Sequence, residues 1–344
     1  MNRDNFSEWL AEASREIGAH SAACIRMDDR LLRLRIEENN VQVANWLKLG
    51  MHGEMGYLER MLPEKSNPWT TFPFAKSVIV LVFTNRWGDS SATHPFPVPA
   101  SDALLGYLSA YARETDYHLT GQTMLSKLTE LLGENIHTEA TVDTAAVYER
   151  LFATVGGLGV VGSNTLLRVP DSGTSRFFIG CLFIDSELPE VIHKPKIPIA
   201  CDICCACLEN CPTGAIQSGQ PIDARKCISY LTIEKGGTLS REEGQSIGNW
   251  LFGCDDCTMV CPPQVEADLR IPVDLEWLLK TSAAELRRII KGNASASAYA
   301  GVTQLRRNAV VALKNMGTQR AQDLLQWVRE NSGSELIRRQ IDLW

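Results

Sequence analysis

Apolar residues near the start of the chain recur every three or four positions, which predicts helices over Asp4–Ile17 and Arg30–Leu49. The pattern then changes. Ser77–Phe83, SVIVLVF, is an unbroken apolar run of strand length and reads as a buried strand. The proline-rich stretch THPFPVPAS ends at Ser101-Asp102, a suitable cap for a helix expected over Leu104–Arg113, and Leu119–Leu132 reads as a further helix. NIHTEATVD alternates like a strand and ends at Asp143. AAVYERLFATVGG reads as a helix stopped by Gly156-Gly157, and Arg176–Ile184 as another strand. This mixture predicts an α/β or α+β domain over residues 1–187. A proline-containing linker is expected at 188–199, a cysteine-rich domain at 200–267 and an all-α region at 268–344. In that last region Gly301–Met316 and Thr318–Asn331 form an amphipathic pair around one glycine, a pattern that resembles a HEAT-type hairpin.

Composition narrows the class. The chain has 344 residues, 44% hydrophobic and 22% charged, which is ordinary for a globular protein. No apolar stretch approaches the roughly 20 residues that span a bilayer, and the acidic amphipathic start, MNRDNFSEWLAEASREIG, lacks an export signal's apolar core. A cytoplasmic, monomeric protein without a membrane partner is expected, in a compartment that keeps thiols reduced. The net charge of −7 speaks against a uniformly nucleic-acid-binding surface. Yet from Lys280 to Trp344 eleven Lys/Arg face five Asp/Glu. A basic tail on an acidic chain suits either a polyanion-binding appendage or a solvated helical face.

The cysteines carry the chemistry. Cys201, Cys204, Cys207, Cys211 and Pro212 read C-x2-C-x2-C-x3-C-P. Cys227, Cys254, Cys257, Cys261 and Pro262 repeat the run with the first spacer stretched to 26 residues. In two-cluster ferredoxins the fourth cysteine of each run ligates the other cluster. Cys201, Cys204, Cys207 and Cys261 are therefore assigned to one 4Fe–4S cluster, and Cys211, Cys227, Cys254 and Cys257 to a second. A pair of zinc sites is the competing reading, but zinc has no need of the paired C-P endings. Cys24 and Cys181 read as buried free thiols, and Cys205 as a bystander beside a ligand. No G-x-G-x-x-G follows a strand, so no dinucleotide site is evident. The glycine-rich Gly156–Asn164 either lets backbone approach a bulky cofactor or merely turns.

Several segments together resemble the epoxyqueuosine reductases. They are HGEMGYLER at His52–Arg60, FAKSVIVL at Phe74–Leu81, DYH at Asp116–His118, TVDTAAVYER at Thr141–Arg150, GLGVVGSNTLL at Gly157–Leu167, CPTGAI, DARKCISYLTIE at Asp223–Glu234, and FGCDDCTMVCP. The resemblance covers nearly the whole chain. It implies reduction of epoxyqueuosine to queuosine at the tRNA wobble position by a cobalamin bound base-off beside the clusters. An external low-potential donor would supply the electrons. Asp143 would be the proton donor, a role burial would favour by raising its pKa; its bland alternative is a helix N-cap. Lys65, Tyr117, His118, Asn164 and Ser229 would contact cofactor, Ser229 and Thr232 would lie between the second cluster and the corrin or tRNA, and Arg306, Arg307 and Arg338 would meet tRNA phosphates, with Tyr299, Lys314 and Arg339 beside them. Alternatives are a reductive-dehalogenase-like reductase of a small molecule, or a non-catalytic electron carrier.

Some positions depart from the family. Ser163 stands where it carries lysine, Ala146 where it carries proline, Lys65 where it carries arginine, Glu114 where it carries glycine, and Gln264 closes CPPQ where the family has CPW-N. Asp116–Gly121 also spells D-x-H-x-x-G, by which other cobalamin proteins present a histidine to cobalt. Gly156-Gly157 could supply that signature's later Gly-Gly, but no matching S-x-L is found, and a pocket-lining or capping His118 is the plainer reading.

Overall fold

Strand Ser77–Phe83 is fully buried, and the fold is built around it. The computed structural model describes residues 3–84, 96–113, 115–170, 172, 174–194, 201–262, 269–293 and 295–344. Residues 195–199 of the expected linker, 263–267 of the expected cysteine-rich domain, Glu114 and Gln264 lie outside the described residues. The described strands are Ser21–Arg26 (β1), Ser77–Phe83 (β2), Leu105–Leu108 (β3), Thr138–Thr141 (β4), Val160–Val161 (β5), Leu167–Arg168 (β6), Phe178–Ile184 (β7), Trp250–Phe252 (β8) and Ile271–Asp274 (β9).

Four of them form a sheet in the order β1-β2-β7-β4, antiparallel at every pairing. Of the two expected classes, this region is therefore the α+β one. Side chains of β2 alternate between two cores. Val78, Val80 and Val82 pack with Leu32 and Ile36 of helix Arg30–Lys48 and Phe152 of helix Glu149–Val155. Ile79, Leu81 and Phe83 pack with Phe6 and Leu10 of helix Arg3–Ile17 and with Leu125 and Leu128 of helix Tyr117–Leu132. Cys24 and Cys181 fill core positions at 0% exposure, as expected for thiols without a ligand role.

The helix expected over Leu104–Arg113 is not there. Leu105–Leu108 is a strand, and only Ala110–Ala112 form a 3-10 turn. The strand pairs in parallel with β8 and antiparallel with β9, so three distant segments share one small sheet. Gly106 permits this: a Cβ there would stand 2.7 Å from Leu251 side-chain carbons. The helix expected over AAVYERLFATVGG is also shorter, beginning only at Glu149.

The C-terminal region is helical, with Gly301–Met316 and Gln319–Asn331 joined through Gly317, whose φ of 62° ends the first helix. Helix Gly301–Met316 is buried nearly all round. Arg307 is 0% exposed. Its guanidinium donates to the carbonyls of Leu231 (2.6 Å), Lys235 (2.5 Å) and Gly237 (3.1 Å), and to Asn308 Oδ1. Asn308 in turn donates to the Thr232 and Leu251 carbonyls. Arg306 donates to the Leu278 and Thr281 carbonyls. The expectation that Arg306 and Arg307 meet tRNA phosphates is thus corrected: their donors close off backbone carbonyls inside the protein. Lys314 lies over the Trp344 ring, 5.1 Å from its centroid. Arg338 is exposed and donates to the Ser332 carbonyl (2.6 Å). Among the described residues, no helix is long and apolar enough to cross a membrane.

Candidate active site and cluster cradle

The cysteine runs fold as short helical turns. Cys201–Cys204 and Ala206–Glu209 are single turns hinged at Cys205, whose φ of 49° is left-handed. Cys201, Cys204, Cys207 and Cys261 line one cavity, closed by Gly162, Asn164 and Arg168 from the β5–β6 hairpin and by Pro262. Cys205 is also on that wall. Burial first, then the fields of Cys261, Cys201 and Cys204, push the Cys207 thiol up to about 11. The second group shows the same crowding. Burial and then Cys227 lead the forces that raise Cys257, and Cys227 itself is raised by burial and opposed by N–H bonds from Tyr230 and Ser229. Cys211 differs: burial pushes it up, yet the Thr213 hydroxyl and the N–H groups of Ile216, Thr213 and Ala215 hold it below the thiol range. Cys201, Cys204, Cys207 and Cys261 are thus brought together around one cavity, while Cys257 feels both Cys227 and Cys207, so the two groups of thiols lie side by side. Crowded thiols repel as thiolates, and iron bound between them removes that repulsion. The cradle fits a pair of clusters.

Of three expected contacts, Ser229 stays beside a second-cluster cysteine, while Asn164 and Thr232 take different roles. The Ser229 hydroxyl bonds to the Cys227 sulfur. Asn164 is 5% exposed. It donates to Ser175 Oγ (2.9 Å) and the Cys257 carbonyl (3.4 Å), so it ties the β5–β6 hairpin to the cluster segment rather than facing an open corrin pocket. Thr232 is 0% exposed, donates to the Ile228 carbonyl and accepts from Gly253 N, which removes it from contact with tRNA. The glycine-rich segment is explained in part by packing, since a Cβ on Gly162 would stand 3.5 Å from Cys201 Sγ. Asp255, two percent exposed, accepts from Ser109 and from Ala110 N (2.7 Å), fastening the second cluster's loop to the turn after β3.

The second half of the site centres on Asp143. Strand β4 ends at Thr141, and Asp143 follows with φ 57°, a left-handed conformation uncommon outside glycine. Its helix-cap reading fails, because the next helix starts at Glu149 with Tyr148 at its cap. Tyr117 Oη donates to Asp143 Oδ2 at 2.5 Å. His118 Nε2 lies 3.6 Å from the same oxygen, while its Nδ1 lies 2.6 Å from Asp116 Oδ1. The Tyr117 ring is stacked between His118 (4.1 Å) and Phe178 (3.9 Å). Both His118 nitrogens face carboxylates. The glycine of D-x-H-x-x-G has a packing reason instead: a Cβ on Gly121 would stand 2.6 Å from Phe83.

The electrostatics invert one expectation. Burial pushes the Asp143 carboxyl up, but His118, Tyr117 and Lys65 hold it below the usual carboxylate range. Burial lowers the His118 imidazolium, but Asp116 and Asp143 outweigh it and carry it up to about 9. At neutral pH the proton therefore sits on His118 and Asp143 is ionised.

Around Asp143 the three regions of the chain meet. Lys65 comes from helix Tyr57–Lys65 and donates to the Val147 carbonyl (3.2 Å). Glu234 follows helix Ile228–Ile233; burial raises its carboxyl, hydrogen bonds from Tyr299 and Tyr57 oppose this, and Asp143 raises it further. Tyr299, 66% exposed, comes from the helical region. The sequence reading passed over Tyr57, Glu149 and Glu234 as site groups, although each lies in a segment singled out for other reasons. Asp143 keeps 63% of its side-chain surface open. Beside it, Tyr148 Oη and Glu149 Oε1 are buried without a hydrogen-bond partner, and burial pushes Glu149 up to about 7.

Comparison with known proteins gives the following. Residues 200–264 match the family model described as 4Fe-4S double cluster binding domain, and residues 65–144 match that described as Epoxyqueuosine reductase QueG, DUF1730. The chain is 36% identical over 297 residues to the epoxyqueuosine reductase of Salmonella typhimurium, covering 82% of this chain and 74% of that one. It is 37% identical over 236 residues to that of Pseudomonas aeruginosa, covering 67% and 62%. A crystal structure of epoxyqueuosine reductase with a tRNA-Tyr epoxyqueuosine-modified stem loop superposes with a TM-score of 0.79, at 24% identity, over 99% of this chain and 89% of that one.

Proposed function

This chain belongs to the epoxyqueuosine reductase family, and from that premise we propose that it reduces epoxyqueuosine to queuosine in the anticodon of tRNA, in the cytoplasm and as a monomer. The observation that carries the reading is the open Asp143 carboxylate, hydrogen-bonded by Tyr117, facing His118, and ringed by groups from all three regions of the chain. A simple electron carrier has no use for such a site.

Cobalamin bound beside Asp143 would supply a metal centre reducible enough to open the epoxide. Lys65, at the edge of this site, would be the side chain to meet its amides. An external low-potential donor feeds the pair of 4Fe–4S clusters. Ser229 bonds to a second-cluster thiolate. Hydrogen bonds to cluster sulfur stabilise the reduced state and raise its potential. Asp143 delivers the proton to the departing oxygen. Tyr117 keeps its own proton, since burial and Asp143 raise its hydroxyl far above the usual range; it fixes the carboxylate in place.

The C-terminal helices, read as a HEAT-type pair, contribute to tRNA binding through surface cations. Arg338 and Arg339 are exposed there, as are Arg287, Arg288 and Lys291 on helix Ala283–Gly292. Replacing Arg338 and Arg339 together by glutamine is expected to weaken stem-loop binding and lower the slope of affinity against salt by up to about two charges. An unchanged slope would leave these residues as an ordinary solvated face.

The direct test of function is single-turnover reduction of an epoxyqueuosine-modified anticodon stem loop by reconstituted, cobalamin-loaded enzyme, with nucleosides read by mass spectrometry. Conversion to queuosine is expected. No conversion by enzyme with full iron and cobalamin content would overturn the reading.

A further inference from the structure

Removing an epoxide oxygen as water takes a pair of electrons and a pair of protons. Both C–O bonds break, a C=C bond forms, and the oxygen leaves fully protonated. The clusters carry the electrons. In the resting site, however, the carboxylate next to the expected reaction centre has no proton of its own to give.

We propose that His118 is the proton-relay residue behind Asp143: the ring passes its Nε2 proton to the Asp143 carboxylate, Asp143 passes it to the leaving oxygen, and His118 is recharged from solvent beside Asp116. The proposal rests on Asp143 being the acid.

The geometry orders the groups. Asp116 caps helix Tyr117–Leu132, accepting from His118 N at 3.0 Å, and its Oδ1 also lies 2.6 Å from His118 Nδ1. This fixes the ring with Nε2 towards Asp143 Oδ2 at 3.6 Å. That separation is an ion pair rather than a hydrogen bond. Proton-transfer contacts are often long in the empty enzyme and tighten around substrate. Stacking between Tyr117 and His118 holds the ring plane. His118 and Asp116 are about three-quarters covered, while the Asp143 side chain is 63% exposed. The path thus runs from a sheltered reservoir to an open donor.

The groups facing His118 are few. From its own helix they are Asp116 and Tyr117, and from the loop after β4, Asp143. Tyr111, from the turn after β3, reaches the Tyr117 ring at 6.2 Å. Lys65, Glu149 and Glu234 bear on Asp143. Both carboxylates stabilise the imidazolium, so the relay is loaded below a pH of about 9 and empties as the pH rises through it. Because each turnover consumes a pair of protons through one ring, recharging falls within the catalytic cycle. His118 acts through Asp143 and touches no reacting atom, so it is a positioning and relay residue.

Two measurements on the full, cofactor-loaded chain test this. In ¹⁵N-histidine NMR, the resonance lost in His118→Gln should titrate near 9 in the wild type and move down towards the ordinary histidine range in Asp143→Asn. In single-turnover kinetics, wild-type turnover should fall as pH rises through that value. His118→Gln should be slower by about 10²-fold, within the range for general acid–base catalysis, and should lose this alkaline limb. A wild-type alkaline limb in His118→Gln, or a His118 titration at the ordinary value, would overturn the relay. Wild-type turnover in Asp143→Asn would instead remove the acid on which the relay rests. Loss of turnover in Asp143→Asn with an unchanged profile in His118→Gln defeats the relay alone.

Discussion

Asp143→Asn is expected to keep both clusters and bind cobalamin, yet to lose turnover by on the order of 10²–10⁴-fold, the contribution of a positioned general acid. The substitution is clean for structural reasons. Asp143 sits at φ 57°, and asparagine visits that region about as readily as aspartate, whereas alanine would add backbone strain. The Tyr117 hydroxyl can still donate to the amide oxygen. No helix end depends on the side chain, since the next helix is capped at Tyr148. Melting temperature should therefore change little while activity collapses. Wild-type turnover with full cofactor content would end the acid assignment.

Arg307→Met is expected to do the opposite: unfold the protein rather than blunt its chemistry. The side chain is 0% exposed. Its guanidinium donates to carbonyl oxygens, those of Leu231, Lys235, Gly237 and the Asn308 side chain. Methionine matches its bulk and leaves those acceptors unsatisfied, at about 1–3 kcal/mol for each one left without water. Several such acceptors left unsatisfied together are a large part of a typical domain's roughly 5–15 kcal/mol. Denaturant unfolding followed by tryptophan fluorescence measures it, with Arg338→Met as the surface control. Arg307→Lys should recover only part of the loss, because an ammonium cannot span carbonyls arranged for a planar fork. Stability equal to wild type in Arg307→Met would show that the buried network does not support the fold.

These cases show what the sequence could and could not disclose. The paired cysteine runs were legible because ligand spacing is a local constraint, and the structure gathers Cys201, Cys204, Cys207 and Cys261 around one cavity. Strand β2 was legible because an unbroken apolar run of that length has few other uses. Leu104–Arg113 was not. Its apolar spacing suits a helix, and what makes it a strand are edges offered by β8 and β9, more than 140 residues away. Arg306 and Arg307 defeated a count of charges because the count cannot see which face of a helix is covered, and this helix is covered on nearly every side. Asp143 was found by its surroundings in sequence, but its ionisation depends on His118 and Tyr117 arriving from another helix.

The small sheet that joins β3 to β8 and β9 also sets a timetable for making the protein. While the chain leaves the ribosome, β3 has no partner on either edge until residues 250–252 and then 271–274 follow. At roughly 5–20 residues per second, that wait lasts on the order of ten seconds or more, with an unpaired apolar strand exposed to aggregation. The last cysteine of the first cluster, Cys261, is made within the same interval. Iron delivery completed before then would find an unfinished cradle. Closure of this sheet and closure of the clusters are thus late, nearly simultaneous events, and a shortage of iron during synthesis should appear as insoluble chain rather than as soluble protein lacking its metal.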